Sequence, residues 1–475
     1  MAVSLAWRRV ALFLAVISVG AFQAGCATYS DSFGLIEQNL AARQYDAALQ
    51  EIEKQANSKT DRALYLLNKG MVQRMAGDFA GSNQTLEKAK SEMERLYAAS
   101  VSENALSFLI NDATVSYAGD DYEQVLVHLF MALNYLELGQ PLDARVEALQ
   151  VDIKLREIGE KIPENKFTED ALSRYITGMI YEELGEWSDA MIAYRKAYGA
   201  YKKYRENYGV PVPDMLKHDL LRLTQRQGLN DELEQYRKEF GIEPQAETDD
   251  IAGEEGELVF ILNNGLAPIK REKIVSAAAP QASVVVDSRE HRKHEVTPMP
   301  YMVSIALPYY ESRPKGIASA RISLLGKQTT TQMMEDIDAI ARASLDSRMT
   351  AITARSVARM VAKIKIQDVV DRTGRNKDSE LAAELLGSFL VRVATMVTER
   401  ADTRSWLTLP ANVQMAKLSV PPGSYTVTVE LMSEGGQAIA TREYPEIVIK
   451  KKRKTYLTQH WVPDMGASLT RRRWK

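Results

Sequence analysis

Six residues of this 475-residue chain have side chains suited to nucleophilic or metal chemistry: one cysteine, Cys26, and five histidines, His128, His218, His291, His294 and His460. His291 and His294, in the run His291-Arg292-Lys293-His294-Glu295, have the i, i+3 spacing of a metal pair on a helix. They lie between strand-like runs and beside cations, and like charge opposes a bound metal. No G-x-S-x-G elbow, H-E-x-x-H pair or P-loop is present in the sequence. No catalytic, cofactor-binding or metal-ligating residue is therefore assigned, no cofactor is expected, and the chain reads as a non-enzyme. Cys26 is different, because its surroundings specify a reaction. Arg8 and Arg9 precede an apolar run from Val10 to Phe22, too short for a comfortable membrane span, and Gln23-Ala24-Gly25 then leads into the thiol. That is a secretory signal over residues 1–25 with the cysteine at the cut. The competing reading is an ordinary buried cysteine near the end of an N-terminal membrane helix.

A second cluster could read a ligand. Within Ala401-Asp402-Thr403-Arg404-Ser405-Trp406-Leu407-Thr408-Leu409-Pro410-Ala411, the acid Asp402, the base Arg404 and the ring of Trp406 lie two residues apart. Asp402 could pair with Arg404 and Trp406 could anchor a rigid corner. The alternative is an interaction motif of Asp402, Arg404 and Trp406 facing outward.

The elements that must position these residues fall into two halves of opposite charge. From Ala27 to Glu257 there are 25 Lys+Arg and 42 Asp+Glu, a net of −17; from Leu258 to Lys475 there are 33 and 21, a net of +12. Such asymmetry implies different partners, or halves that attract one another. With 45% hydrophobic residues the chain can bury real cores, and its length suits two or three domains. After Phe22 no run of 18 uncharged apolar residues occurs, so no transmembrane helix is expected in the mature chain.

The acidic half repeats. Gly178, Tyr181, Gly185, Trp187, Ala190, Tyr194 and Ala197 have the spacing of a tetratricopeptide (TPR) repeat. Ala132, Tyr135, Gly139 and Ala144 repeat the frame, as do Gly70, Gly77, Ser82, Leu86 and Ala89. A degenerate copy holds Tyr45-Asp46-Ala47-Ala48, and a last helical pair spans Asp214 to Phe240. The copies are unevenly spaced, with an insertion near Ser102 to Asp121. About five helical hairpins are expected over residues 26–242, with a concave face suited to a protein partner.

Residues 243–256 are acidic, poor in apolar side chains and broken by Pro and Gly, and read as a linker. Residues 257–475 form a basic α+β domain. Strand-like runs cover Leu258 to Leu262, Ser283 to Val286, Met302 to Leu307 and Ala318 to Leu325. A helical hairpin spans 335–399: the first helix carries an apolar stripe through Ile337, Ala341, Leu345, Met349 and Ile352, with Arg348 and Arg355 off it, and the second begins near Ser379. A β-meander follows over 405–461, including the alternating run Ser424 to Leu431. The basic clusters Lys450 to Lys454 and Arg471 to Lys475 are solvated loops or anionic-lipid and cell-wall phosphate contacts.

The Cys26 surroundings resemble the lipobox of bacterial lipoproteins, with Gln23 where an aliphatic residue is usual. The resemblance implies a diacylglycerol on the sulfur and an acylated amino terminus, and two or more chains hold a protein stably on a membrane. Ala27 in place of Asp implies the outer membrane in a Gram-negative cell. The runs Tyr117 to Glu123, Ala132 to Leu136, Asn264 to Pro268 and Ala401 to Ala411 resemble a family of uncharacterised proteobacterial TPR-containing lipoproteins. The family's members are often associated with genes for lipoproteins that activate peptidoglycan synthases. The repeat spacing, strand-like runs and helical stripes together predict an α+β multidomain protein: an all-α TPR-like solenoid, then a mixed domain with an antiparallel β-sandwich or meander and a helical hairpin. The expected function is a periplasm-facing scaffold anchored in the outer membrane through Cys26. An envelope protein would sit on the concave face, with anionic lipid or peptidoglycan as further contacts and no nucleic acid. The alternative is a glycan-binding or glycan-processing module in the basic half.

Overall fold

Small residues let helices approach, and their spacing sets the first half. A Cβ on Gly178 would stand 2.4 Å from the Tyr194 ring, and one on Gly70 would stand 2.7 Å from Leu86, so each glycine is the seat of a large side chain from the next helix. Between those helices Gly185 takes φ +76°, a left-handed turn that a side chain would strain. The computed structural model describes residues 29–102, 115–161, 167, 169–242, 255–278, 302–374 and 400–464. Cys26, the linker residues 243–254, the run Ser283 to Val286, His291, His294, the second helix of the expected hairpin and Arg471 to Lys475 lie outside these residues.

Five helix pairs result among the described residues: α1 (Gly34–Ala41) with α2 (Tyr45–Glu53), α3 (Arg62–Met75) with α4 (Phe79–Ser102), α5 (Asp121–Glu137) with α6 (Pro141–Lys161), α7 (Ala171–Glu183) with α8 (Trp187–Tyr208), and α9 (Asp214–Arg226) with α10 (Asn230–Phe240). Asp120 and Glu123 close a capping box at the start of α5, satisfying backbone donors that the first turn leaves free.

The second half contains β1 (Gly256–Asn264), β2 (Ile269–Ala278), β3 (Met302–Glu311), β4 (Ser319–Leu324), β5 (Lys327–Thr330), β6 (Gln332–Asp336), α11 (Ile337–Gly374), β7 (Asn412–Val420), β8 (Gly423–Met432), β9 (Ala438–Ile449) and β10 (Lys454–Trp461). One sheet has the order β10-β1-β7-β6, another β5-β4-β8-β9, and β2 pairs with β3 alone. The two four-stranded sheets share a core of Leu258, Phe260 and Leu262 from β1 with Ile322, Val427, Val429 and Leu431. The alternate residues Val259, Ile261, Val413 and Met415 point the other way, into a core shared with the helix pairs. Three layers follow: helices, first sheet, second sheet. β1 is buried on both faces, and its middle, Leu258 to Leu262, is accordingly apolar without alternation.

Two expectations change, and one strand joins those expected. The segment 405–461 is not a single antiparallel meander. β8 and β9 form a hairpin in the second sheet, while β7 and β10 belong to the first, and β10 runs parallel to β1. Glu335 opens no helix; it lies on β6, whose pairing with β7 carries Glu335 opposite Val413. β2 is a strand despite its charged sequence, because Lys270 turns into a buried site described below.

Candidate functional site

The two halves meet along a charged seam, and every ion pair named next takes its acid from the helical half and its base from the β-rich half. Glu37 of α1 meets Arg313, Asp61 before α3 meets Arg404 at 3.1 Å, and Asp120 before α5 meets Lys270 at 2.8 Å and Arg348 at 3.0 Å. Glu182 and Glu183 of α7 meet Lys454 and Arg453, and Asp219 of α9 meets Lys417 at 2.7 Å. These acids lie on or just before the first helix of a pair. The face built by the first helices, the expected seat of an envelope protein, is therefore covered by the chain's own second half.

The seam has three densely polar points. At the first, burial alone would raise the Asp120 carboxyl, but Arg348 and Lys270 hold it below the usual carboxylate range. Tyr310 donates to Asp120 at 3.1 Å, and its hydroxyl lies 3.2 Å from that of Tyr122. Glu123 accepts the Trp406 backbone N–H at 2.7 Å; burial, with Asp120 beside it, pushes its carboxyl up to about 7. At the second point Asp219 accepts from Tyr175 at 2.7 Å and pairs with Arg222 as well as Lys417. Burial opposes charge on Glu182 too, yet Lys454 and Arg222 draw it down to about 2. At the third point no ion pair to a cation occurs among the described residues: Asp170, the N-cap of α7, and Glu335 of β6 are both fully buried and each acts on the other's charge.

The motif at 401–411 forms the middle of this seam. Arg404 donates to the two Asp402 oxygens from one edge of its guanidinium, Nε at 2.8 Å and Nη2 at 2.7 Å, and from Nη1 to Asp61. Trp406 is completely buried, edge-on to Phe130 of α5, and donates from its indole to Thr408. Thr408 in turn donates to Asn68 of α3 through both its backbone and its hydroxyl. Asp402, Arg404 and Trp406 are thus brought together as a corner that plugs into the first-helix face.

His128 is buried inside the array against Glu147 at 2.6 Å. His460 lies on β10; burial, with Arg74 nearby, pushes its imidazole well below the ordinary value, so it is neutral. Among the described residues no group of three or more His, Cys, Asp or Glu could hold a metal, and no helix is long and apolar enough to cross a membrane. The basic run 450–454 divides: Lys450, Lys451 and Lys452 are exposed, while Arg453 and Lys454 clamp α7. Lys270 and the pair Asp170 and Glu335 escaped the sequence reading. The opposite net charges of the halves were the available signal for Lys270; nothing local marked the two acids.

No family model matches the chain, and no curated protein matches it. Solved structures with partial similarity include a MamA double mutant, at 13% identity and a TM-score of 0.28 over 44% of this chain and 89% of that one. The apo form of RapI is 13% identical with a TM-score of 0.33, over 47% of this chain and 56% of that one. The helix-pair description rests on the packing within this chain and not on these likenesses.

Proposed function

We propose that the protein is a non-enzymatic scaffold, anchored in the outer membrane by acyl chains on Cys26 and facing the periplasm, that holds an envelope protein during cell-envelope or peptidoglycan assembly. The observation that carries the scaffold reading is the seam. Paired charges hold the β-rich half against the first helices, which leaves the exposed faces of the second helices α4 and α10 to meet a partner. The compartment reading rests on the Arg8 to Cys26 pattern. The glycan reading depended on the positive charge of the second half, and six of its 33 Lys and Arg, Lys270, Arg313, Arg348, Arg404, Lys417 and Lys454, are committed to acids of the first half.

Two measurements test this. Cys26→Ser should move the protein from the membrane fraction to the soluble periplasm and abolish palmitate labelling; unchanged fractionation rejects the anchor. Crosslinked pull-down should enrich an envelope protein that is lost when exposed residues of α4 and α10 are substituted. Enrichment that survives those substitutions rejects the outer-face scaffold.

A further inference from the structure

Helix α6 buries one face normally and leaves the other apolar. Ala144, Ala148, Val151, Leu155 and Ile158 point into the array core. On the opposite side Leu142, Val146, Leu149 and Ile153 are exposed to 61%, 55%, 47% and 42%. Their spacings of four, three and four residues form the narrow seam of a coiled coil, not the scatter of single exposed side chains found on any surface. Contiguous exposed apolar surface rimmed by charge marks an interaction site.

The seam also reads the same in both directions. Leu142 and Ile153 are equidistant from the point midway between Glu147 and Ala148, and so are Val146 and Leu149. A helix with that symmetry meets a second copy of itself in the antiparallel sense with every apolar residue opposed to another. The flanks agree. Arg145 and Asp152, half-exposed, border the seam on the side of α8, where they reach Glu186 and Lys196. Turned antiparallel, the Arg145 of each copy faces the Asp152 of the other; turned parallel, it faces the neutral Gln150. Ile192 of α8, 49% exposed, lies between the residues that meet Arg145 and Asp152 and widens the patch on that flank.

We propose that α6 is a homodimerisation face, on which a second copy of this chain docks about a two-fold axis passing between Glu147 and Ala148. An isologous contact of this kind closes on itself and makes a dimer rather than a filament. The assignment is independent of the lipid anchor and of any envelope partner, so its failure leaves those readings standing.

Sedimentation of the mature full-length chain in density-matched detergent tests it. The wild type should be a dimer at micromolar concentration. Leu149→Asp should raise the dissociation constant roughly a hundredfold by setting an unpaired charge in the seam. Leu149→Met should preserve the dimer, and at concentrations low enough to keep all forms monomeric both variants should still unfold in one cooperative transition. Cysteines then read the geometry. Val146→Cys mixed with Leu149→Cys should crosslink under oxidation. Leu142→Cys should not link to itself, since equivalent positions lie roughly 16 Å apart along the helices at 1.5 Å per residue. A monomeric wild type, a dimer that survives Leu149→Asp, or self-crosslinking of Leu142→Cys each overturns the proposal. Loss of liposome binding in Leu149→Asp with no dimer in the wild type gives the face to lipid instead.

Discussion

Asp170 and Glu335 set two fully buried carboxyl groups beside one another across the seam, one at the start of a helix and one on a strand. Asp170 also accepts the Ser173 backbone N–H at 2.6 Å. The groups acting on the pair are Glu169, Asp336, Tyr201, Tyr204 and Tyr208, and no cation is among them. Two acids so placed share a proton, because both cannot ionise in a dry site.

The pair makes stability depend on pH. Burial, and then Asp170, pushes Glu335 well above the carboxylate range, while burial lifts Asp170 to about 6. A carboxyl whose folded value lies above its unfolded one stabilises the fold below the unfolded value and loses that contribution as pH rises through the folded value. Glu123, at about 7, acts in the same direction. From about pH 4 through 7 these carboxyls should contribute a falling slope of stability, on the order of 2 kcal/mol in all, against the rise that the lowered His460 contributes. Glu335→Gln should flatten that slope; an unchanged slope in thermal melts across this range would exclude the shared proton.

Asp120 neutralises two cations from different elements, Lys270 and Arg348. Asp120→Asn should cost about 3–5 kcal/mol in urea unfolding, since it strands both charges in the interior. The exposed pair Arg195–Glu232 is the control: Arg195→Ala should cost less than about 1 kcal/mol. Equal costs would mean that the seam charges are solvated.

Trp406 fills a site between the halves, so its loss should weaken their union as well as the whole fold. Trp406→Ala should destabilise by about 3–5 kcal/mol. Limited proteolysis should then cut the first-helix face, which the wild type shields. A destabilised variant with the wild-type digestion pattern would show that the corner supports only its own half.

Two glycines separate packing from propensity. Gly178→Ala drives a methyl into the Tyr194 ring and should cost about 1–3 kcal/mol. Gly199, inside α8 with nothing within 4 Å of an added Cβ, should gain up to about 1 kcal/mol as alanine. Matching effects at both sites in calorimetry would remove close approach as the reason for Gly178.

The helix pairs were legible because a repeat writes its packing into local spacing: Gly178 and Tyr194, or Gly70 and Leu86, are both partners in space and neighbours in the frame. The corner at 401–411 was visible as a cluster, but its sockets, Asn68, Glu123 and Phe130, lie hundreds of residues earlier. The charge split told that attraction was available without telling which lysine meets which aspartate. β10 was found as a strand yet misplaced, since nothing in Lys454 to Trp461 states that its neighbour is β1.

That pairing sets an order of events. β1 needs a strand on each side, and one of them is made almost two hundred residues later in the chain. The second half therefore cannot close while it is being synthesised: its central strand waits with one edge open until the last strand arrives. Long-range closure of this kind is slow, and clipping the final strand would uncover β1 in the middle of the first sheet, not merely shorten the tail.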